Sequence, residues 1–285
     1  MKMIRPETFH RDFIARGPLS LPRGVDVYLC GFPCQPFSPS GLGRGAQDER
    51  GQHCISCLEV IAATLPKVFV LENVENSLSF PEVISFIIET LRSLGEYEVH
   101  YTVLGSSTHG GVPHHRERVF IVGLLTKKIR IPFRWPVPIP MKPLTALLEN
   151  TAGEPSLLLS MSATKKKNLL AILELHGNAT TDNIADLGAS RLKVMHDVCP
   201  CLLATRTGDQ AYWSLRRLRP LKLTELIKLQ GFQPAWFDNA DAVISDRQLG
   251  NALGNAITAT ILERVLRQLF ISMGWPLLPS EFDGV

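Results

Sequence analysis

Short apolar runs rich in β-branched and aromatic residues alternate with stretches of helical spacing along the first half of the chain. No other feature restricts the fold as much. Val25–Gly31 (VDVYLCG) is apolar and ends in glycine, the composition of a strand buried in a parallel sheet. Phe32–Gly51 must be loop, because Pro33, Pro36, Pro39 and its glycines break any ladder. Cys54–Leu65 has helical composition, and Lys67–Leu71 (KVFVL) reads as a second strand. Pro81 suits a first helical turn, and after it Val83, Ile84, Ile87, Ile88, Leu91 and Leu94 recur at helical spacing. Tyr97–Leu104 and Val119–Leu125 read as two more strands. The alternation specifies an α/β fold, a sheet with helices packed on its faces. Ligands of such sheets gather beyond the carboxyl ends of the strands. Phe32–Ser38 and Glu72–Val74 each begin where a predicted strand stops, which places them at one rim.

Ile131–Pro143 holds five prolines and no periodicity, and reads as a linker. The stretch that follows, to about Leu218, has the mixed character of a small separate module. Its lysine triplet, Lys165–Lys167, fits either a phosphate contact or a solvated helix face. Helical spacing returns from Leu221 to Gln230, and Gln248–Met273 reads as a turn, GNALGN, followed by a long amphipathic helix. With 285 residues, 45% of them hydrophobic and 20% charged, the chain can bury a sizeable core and is too apolar for disorder. Its net charge of +3 permits a polyanionic partner without identifying one. No apolar run approaches the roughly 20 residues that span a bilayer, so no membrane is expected. Met1–Arg16 is charged and lacks the core of a secretory signal, which points to an intracellular setting. The cysteine pairs Cys54/Cys57 and Cys199/Cys201 raise the question of zinc. The first opens an apolar helical stretch and the second lacks knuckle spacing, so buried thiols are expected and no metal.

The most telling segment is Gly31-Phe32-Pro33-Cys34-Gln35-Pro36-Phe37-Ser38. Each proline fixes its own φ and restricts the residue before it, so Cys34 sits on a stiffened loop after a strand end. A thiol so placed, beside a cation, ionises readily and can act as a nucleophile. GFPCQPFS closely resembles the nucleophile loop of the C5-cytosine DNA methyltransferases. Four further segments match in the family's order: Glu72-Asn73-Val74, Arg116-Glu117-Arg118 within GGVPHHRERVFIVG, Arg219–Phe232 (RPLKLTELIKLQGF) and Gln248–Leu253 (QLGNAL). The resemblance covers roughly Asp26 to Leu269.

It implies a Rossmann-like, S-adenosylmethionine-dependent methyltransferase sheet with helices on both faces and a small target-recognition domain. The corresponding boundaries are 1–135 for a partial catalytic domain, 136–244 for the recognition domain with its closing segment, and 245–285 for a returning helix. Carbon 5 of cytosine is a poor nucleophile. A thiolate added at carbon 6, here Cys34, makes the ring an enamine whose carbon 5 attacks an electrophilic methyl. Glu72 is the implied donor to N3, a task that needs a protonated carboxyl at least transiently. Arg118 is implied at the cytosine O2, and Arg116 at a phosphate or the same ring; guanidinium forks suit both. Asn73 and Pro33 support the loop. Phe32, Pro33, Asn251 and Ala252 are the implied contacts to S-adenosylmethionine. The reacting carbons lie inside the stack of double-stranded DNA, so the base must be flipped out, with Gln35, Ser38, Arg44, Arg50, Thr205 and Arg206 as DNA contacts. Ser38–Gly51 fits a glycine-rich loop that closes over DNA, or a surface loop without that role.

Two departures stand out. The family's glycine-rich FxGxG turn and the acidic residue that holds the cofactor ribose have no counterpart before Asp26, so the methyltransferase sheet is expected to be incomplete. A truncated sequence, a second polypeptide that supplies the missing front, and a decayed DNA-binding remnant each account for this. The paired-arginine motif carries His114 where glutamine is usual. A tRNA cytosine methyltransferase of the same family is a further alternative. The setting would be the nucleus in a eukaryote and the cytoplasm in a bacterium.

Overall fold

A computed structural model describes residues 21–22, 24–32, 49–176, 182–189, 191–238 and 243–280, with 10, 12 and 17; the side chains of 49–52, 155 and 160 are outside that description. The chain forms two compact units. The first is Met1–Leu104, Glu117–Trp135 and Val265–Asp283; the second is Gly105–Arg116, Pro136–Arg264 and Gly284–Val285.

In the first unit the elements run β1 (Val27–Gly31), α1 (Glu49–Thr64), β2 (Val68–Val74), α2 (Pro81–Ser93), β3 (Tyr97–Gly105) and β4 (Glu117–Leu125). The strands form one sheet in the order β1-β2-β4-β3, with β1 parallel and β4 antiparallel to β2. Side chains alternate across a strand, so Phe69, Leu71, Val119 and Ile121 face one way. They pack with Cys57, Leu58 and Ile61 of α1 and with Ile84, Ile87 and Leu91 of α2. Val68, Val70, Val122 and Leu124 face the other way and are fully buried too. Burial on both faces is why KVFVL reads as an unbroken apolar run. Among the described residues β1 is an edge strand, and Leu29 is 42% exposed. That corrects the expectation of a strand buried throughout. Two boundaries also differ. Helix α1 begins at Glu49, inside the stretch expected as loop, and β2 continues through Glu72–Val74 instead of stopping at Leu71.

The second unit contains α3 (Pro155–Ser160), α4 (Ala163–His176), β5 (Asn183–Asp186), β6 (Lys193–His196), α5 (Ala204–Thr207), β7 (Tyr212–Ser214), β8 (Arg219–Pro220), α6 (Leu223–Leu229), α7 (Asp246–Asn255) and the start of α8 (Ala259–Met273). Its sheet has the order β6-β5-β7-β8, every pair antiparallel. Ala185, Leu187, Trp213 and Leu215 pack on Leu169 and Ile172 of α4. Ile184 and Tyr212, on the other face, join Leu226, Leu229, Leu249 and Leu253. Among the described residues, no helix is long and apolar enough to cross a membrane.

The QLGNALGN segment is helix, not turn. Ser245 caps α7 by accepting from Gln248 N, and the Gln248 side chain accepts from Ser245 N at 2.8 Å. This reciprocal cap satisfies two N–H groups that the first turn leaves open. The glycines serve packing. An added Cβ would lie 2.9 Å from Gly208 Cα at Gly250 and 2.3 Å from Ala204 N at Gly254. Two glycines one turn apart therefore let α7 approach α5 backbone to backbone. Gly254→Ala should cost about 1–3 kcal/mol, the usual range for overpacking a tight contact, read from urea denaturation. A loss below about 0.5 kcal/mol would mean that α5 gives way freely.

Candidate active site

The register of the first sheet assembles its chemistry. Glu72 pairs with Gly31 of β1 on one side and with Phe120 of β4 on the other. Arg118 lies two residues before Phe120, so its side chain falls on the same sheet face as Glu72, diagonally across the strand pair. Arg118 Nε meets Glu72 Oε1 at 2.9 Å, with side chains 12% and 11% exposed. Arg118 Nη1 also donates to the Glu117 carbonyl at 2.7 Å. The contact holds the carboxyl against the guanidinium beside the end of β1.

Asn73 ties the two parallel strand ends together. Its Nδ2 donates to the Phe32 carbonyl at 3.2 Å, and its Oδ1 accepts from Val74 N at 2.8 Å. The residue that leads into Pro33-Cys34 is thereby fixed to the strand that carries Glu72. Pro33, Cys34, Gln35, Ser38 and Arg44 lie outside the described residues, as does the side chain of Arg50.

Arg116 departs from its expected place at a phosphate or the pyrimidine. It is 3% exposed and belongs to the second unit. Its Nη1 donates to the carbonyls of Leu202 (2.9 Å) and Gly254 (3.3 Å), and its Nη2 to that of Ala256 (2.8 Å). A guanidinium fork fits three clustered carbonyls as well as it fits phosphate oxygens. Arg116 is therefore a positioning residue that ties the 202 segment to the end of α7. His114 supports the same joint. It is fully buried, and its Nε2 accepts from Leu202 N at 3.0 Å, the part a glutamine carbonyl oxygen would play. An accepting Nε2 assigns the neutral ring's proton to Nδ1.

Arg206, expected at DNA, pairs with the buried carboxylate of Asp186; Thr205 is exposed on α5. The closing segment holds an ion pair that the motif reading passed over. Arg219 Nη2 meets Glu225 Oε1 at 2.7 Å with both side chains buried, six residues apart across the β8–α6 junction.

Three buried thiols away from the proline-braced loop, Cys54, Cys57 and Cys199, are poor nucleophiles. Burial pushes Cys54 up to about 12, and burial also pushes Cys199 well above the usual thiol range. Cys57 is raised by its contact with Cys30, Sγ to Sγ 3.1 Å, and then by burial. No group of three or more His, Cys, Asp and Glu among the described residues could hold a metal.

Three of the residues expected at S-adenosylmethionine are described. The Phe32 ring joins the core of the first unit and its carbonyl accepts from Asn73. In the second unit Asn251 Oδ1 lies 2.3 Å from where a Cβ at Gly208 would stand, and Ala252 is exposed. Those three do not by themselves make a cradle for a charged sulfonium nucleoside.

Comparison with known proteins bears on the same constellation. The C-5 cytosine-specific DNA methylase family model matches residues 5–270. The type II methyltransferase M.NgoBI of Neisseria gonorrhoeae is 35% identical over 245 residues, covering 84% of this chain and 72% of that protein. M.HaeII of Haemophilus aegyptius is 30% identical over 258 residues, 87% of this chain and 74% of that protein. The Entamoeba histolytica methyltransferase EhMeth has a similar fold, with TM-score 0.58 at 17% identity, covering 86% of this chain and 77% of its own. S. pombe Dnmt2 gives 0.57 at 15% identity, covering 88% and 79%. With the model matching nearly its whole length, this chain belongs to the C-5 cytosine-specific DNA methylase family, whose methyl donor is S-adenosylmethionine.

Proposed function

We propose that the chain methylates carbon 5 of a flipped-out cytosine in double-stranded DNA, with S-adenosylmethionine as methyl donor and a covalent bond from Cys34 to carbon 6. The observation that carries this reading is the Glu72–Arg118 pair on one sheet face, with Gly31 as Glu72's neighbour in register. Cys34 follows Gly31 by three residue steps, about 10 Å of chain at full stretch. On this reading Cys34 acts at the rim that carries the carboxyl and the guanidinium, where open α/β sheets hold their ligands.

Each group has one task. The Cys34 thiolate forms a bond to carbon 6, and the displaced π electrons make carbon 5 nucleophilic. Glu72 places a proton at N3 as negative charge enters the ring, a transfer of the kind that contributes about 10²–10⁴-fold. Arg118 donates to the ring's O2 while it keeps the Glu72 carboxyl oriented. Carbon 5 takes the methyl as its bond to the donor's sulfur breaks; a water then takes the carbon 5 proton, those electrons re-form the carbon 5–carbon 6 double bond, the Cys34 thiolate leaves, and N3 returns its proton to Glu72. Asn73 acts through the loop it ties down.

The test uses the whole chain, S-adenosylmethionine and duplexes that carry 5-fluorocytosine. Fluorine at carbon 5 cannot leave as a proton, so the reaction stops at the adduct. A covalent complex that requires S-adenosylmethionine and maps by peptide mass to Cys34 is expected. An adduct at another residue, none at all, or turnover on tRNA in place of DNA would overturn the reading.

A further inference from the structure

The arginines of the second unit sort sharply by what they touch. Arg116 donates to three carbonyls; Arg206 pairs with Asp186, Arg217 with Asp182 and Arg219 with Glu225. Arg216 lies 3.8 Å from Asp182, and Arg247 lies 3.1 Å from Asp209. Arg264 donates to the His109 and Val137 carbonyls at 2.7 and 2.8 Å. Arg191 is the exception. It is exposed and makes no hydrogen bond or ion pair among the described residues. Two positions on, Lys193 is likewise exposed with no such partner, and the 42% exposed Leu192 lies between them.

These three side chains stand at the return of the β5–β6 hairpin, on a firm base. Asp186 Oδ1 accepts from Gly188 N at 3.0 Å, while its other oxygen pairs with Arg206 of α5. Leu187 donates from N to the Ala211 carbonyl at 2.9 Å, and its own carbonyl accepts from Asn168 Nδ2 of α4 at 2.9 Å. The fully buried Leu187 side chain joins the α4 core, and Lys193 resumes the ladder opposite Asp186. The residues leaving β5 and entering β6 are thus anchored from α4, α5 and β7. A guanidinium presented from between anchored strand ends suits sequence-specific contact.

β5 is paired to β7 as well as to β6, so the ladder itself does not enter a groove; a side chain from the return can reach the major groove, where an arginine fork matches guanine O6 and N7. We propose that Arg191 reads a guanine edge within the target site and that Lys193 holds a neighbouring phosphate, which makes the β5–β6 return a specificity-determining element. The inference rests on the DNA-methylating reading above. Exposed cations also guard the edge strands of sheets against pairing with other chains, and the experiment separates that role from base reading.

Wild type, R191A, R191K and K193A are incubated with a duplex library randomised around cytosine, and methylated positions are read by bisulfite sequencing. K128A, exposed in the first unit, serves as control. R191A should lose about 5- to 100-fold at the preferred sites and relax the preference at one base position. R191K should not restore it, because an ammonium lacks the fork. K193A should weaken all sites alike and lower the salt dependence of binding by about one ion. An active wild type whose R191A variant keeps its preference at every position overturns this inference alone. A wild type that methylates no DNA overturns the function and this inference with it.

Discussion

Glu72→Gln should lower the rate constant for methyl transfer by about 10²-fold or more and leave the fold intact. The amide is nearly isosteric. Its oxygen can still accept from Arg118 Nε, now 2.9 Å from Glu72 Oε1, so the guanidinium keeps its place. The variant lacks a proton that can pass to N3 as the thiolate adds. The loss should therefore fall on kcat, with DNA affinity nearly unchanged, when labelled methyl incorporation is followed at saturating DNA and donor. Glu72→Ala should do worse for a separate reason. It leaves Arg118, with only 12% of its side chain exposed, beside a void and without its carboxylate. A desolvated cation deprived of its partner is costly, so stability should fall along with the rate. Comparison of the two variants separates proton transfer from positioning. A glutamine variant with wild-type kcat would remove Glu72 from the chemistry.

Much of this site was legible in the sequence because the relevant signals are local. KVFVL and the run after Val119 are continuous β-branched stretches, and the structure makes both of them strands buried on both faces. The sequence could not supply register. That Glu72 sits between Gly31 and Phe120, with Arg118 diagonal to it, depends on pairings between residues up to 48 positions apart. Arg116 was misplaced because a guanidinium offers the same fork to carbonyls as to phosphates, and burial alone distinguishes the two settings. Helix α7 was read as a turn on the strength of its glycines and asparagines. The signal against that reading is Ser245-Asp246-Arg247-Gln248, a capping box immediately ahead of it. The half-exposed edge of β1 was likewise invisible, because an apolar run reports only that a strand is apolar, not what lies beside it.

Glu225→Ala should destabilise the protein by about 3–5 kcal/mol, the usual cost of breaking a buried ion pair by removing one partner. Glu225 is fully buried, and Arg219 is 3% exposed. Arg219 Nη2 and Nη1 meet the two carboxylate oxygens at 2.7 and 2.9 Å, the geometry of a bidentate fork. The carboxylate does more than neutralise the arginine. Its Oε2 accepts from Lys222 N at 2.7 Å, which caps α6, and its Oε1 accepts from Glu149 N at 2.8 Å. Arg219 in turn donates to the carbonyls of Thr151 and Glu149, at 2.8 and 2.9 Å. One pair therefore fastens the 149–151 segment, β8 and the first turn of α6. This extra duty changes what a double substitution should do. Replacing a buried ion pair by two apolar residues is often neutral or stabilising. Here Arg219→Met with Glu225→Leu would take these partners from the N–H groups of Lys222 and Glu149 and from the Thr151 carbonyl, while the Glu149 carbonyl keeps Arg217 Nε at 2.9 Å; each group left unsatisfied costs about 1–3 kcal/mol. The double variant should accordingly recover little of the loss seen in Glu225→Ala when both are followed by urea denaturation. Recovery to within about 1 kcal/mol of wild type would show that charge neutralisation, and not the backbone anchoring, is what the pair provides.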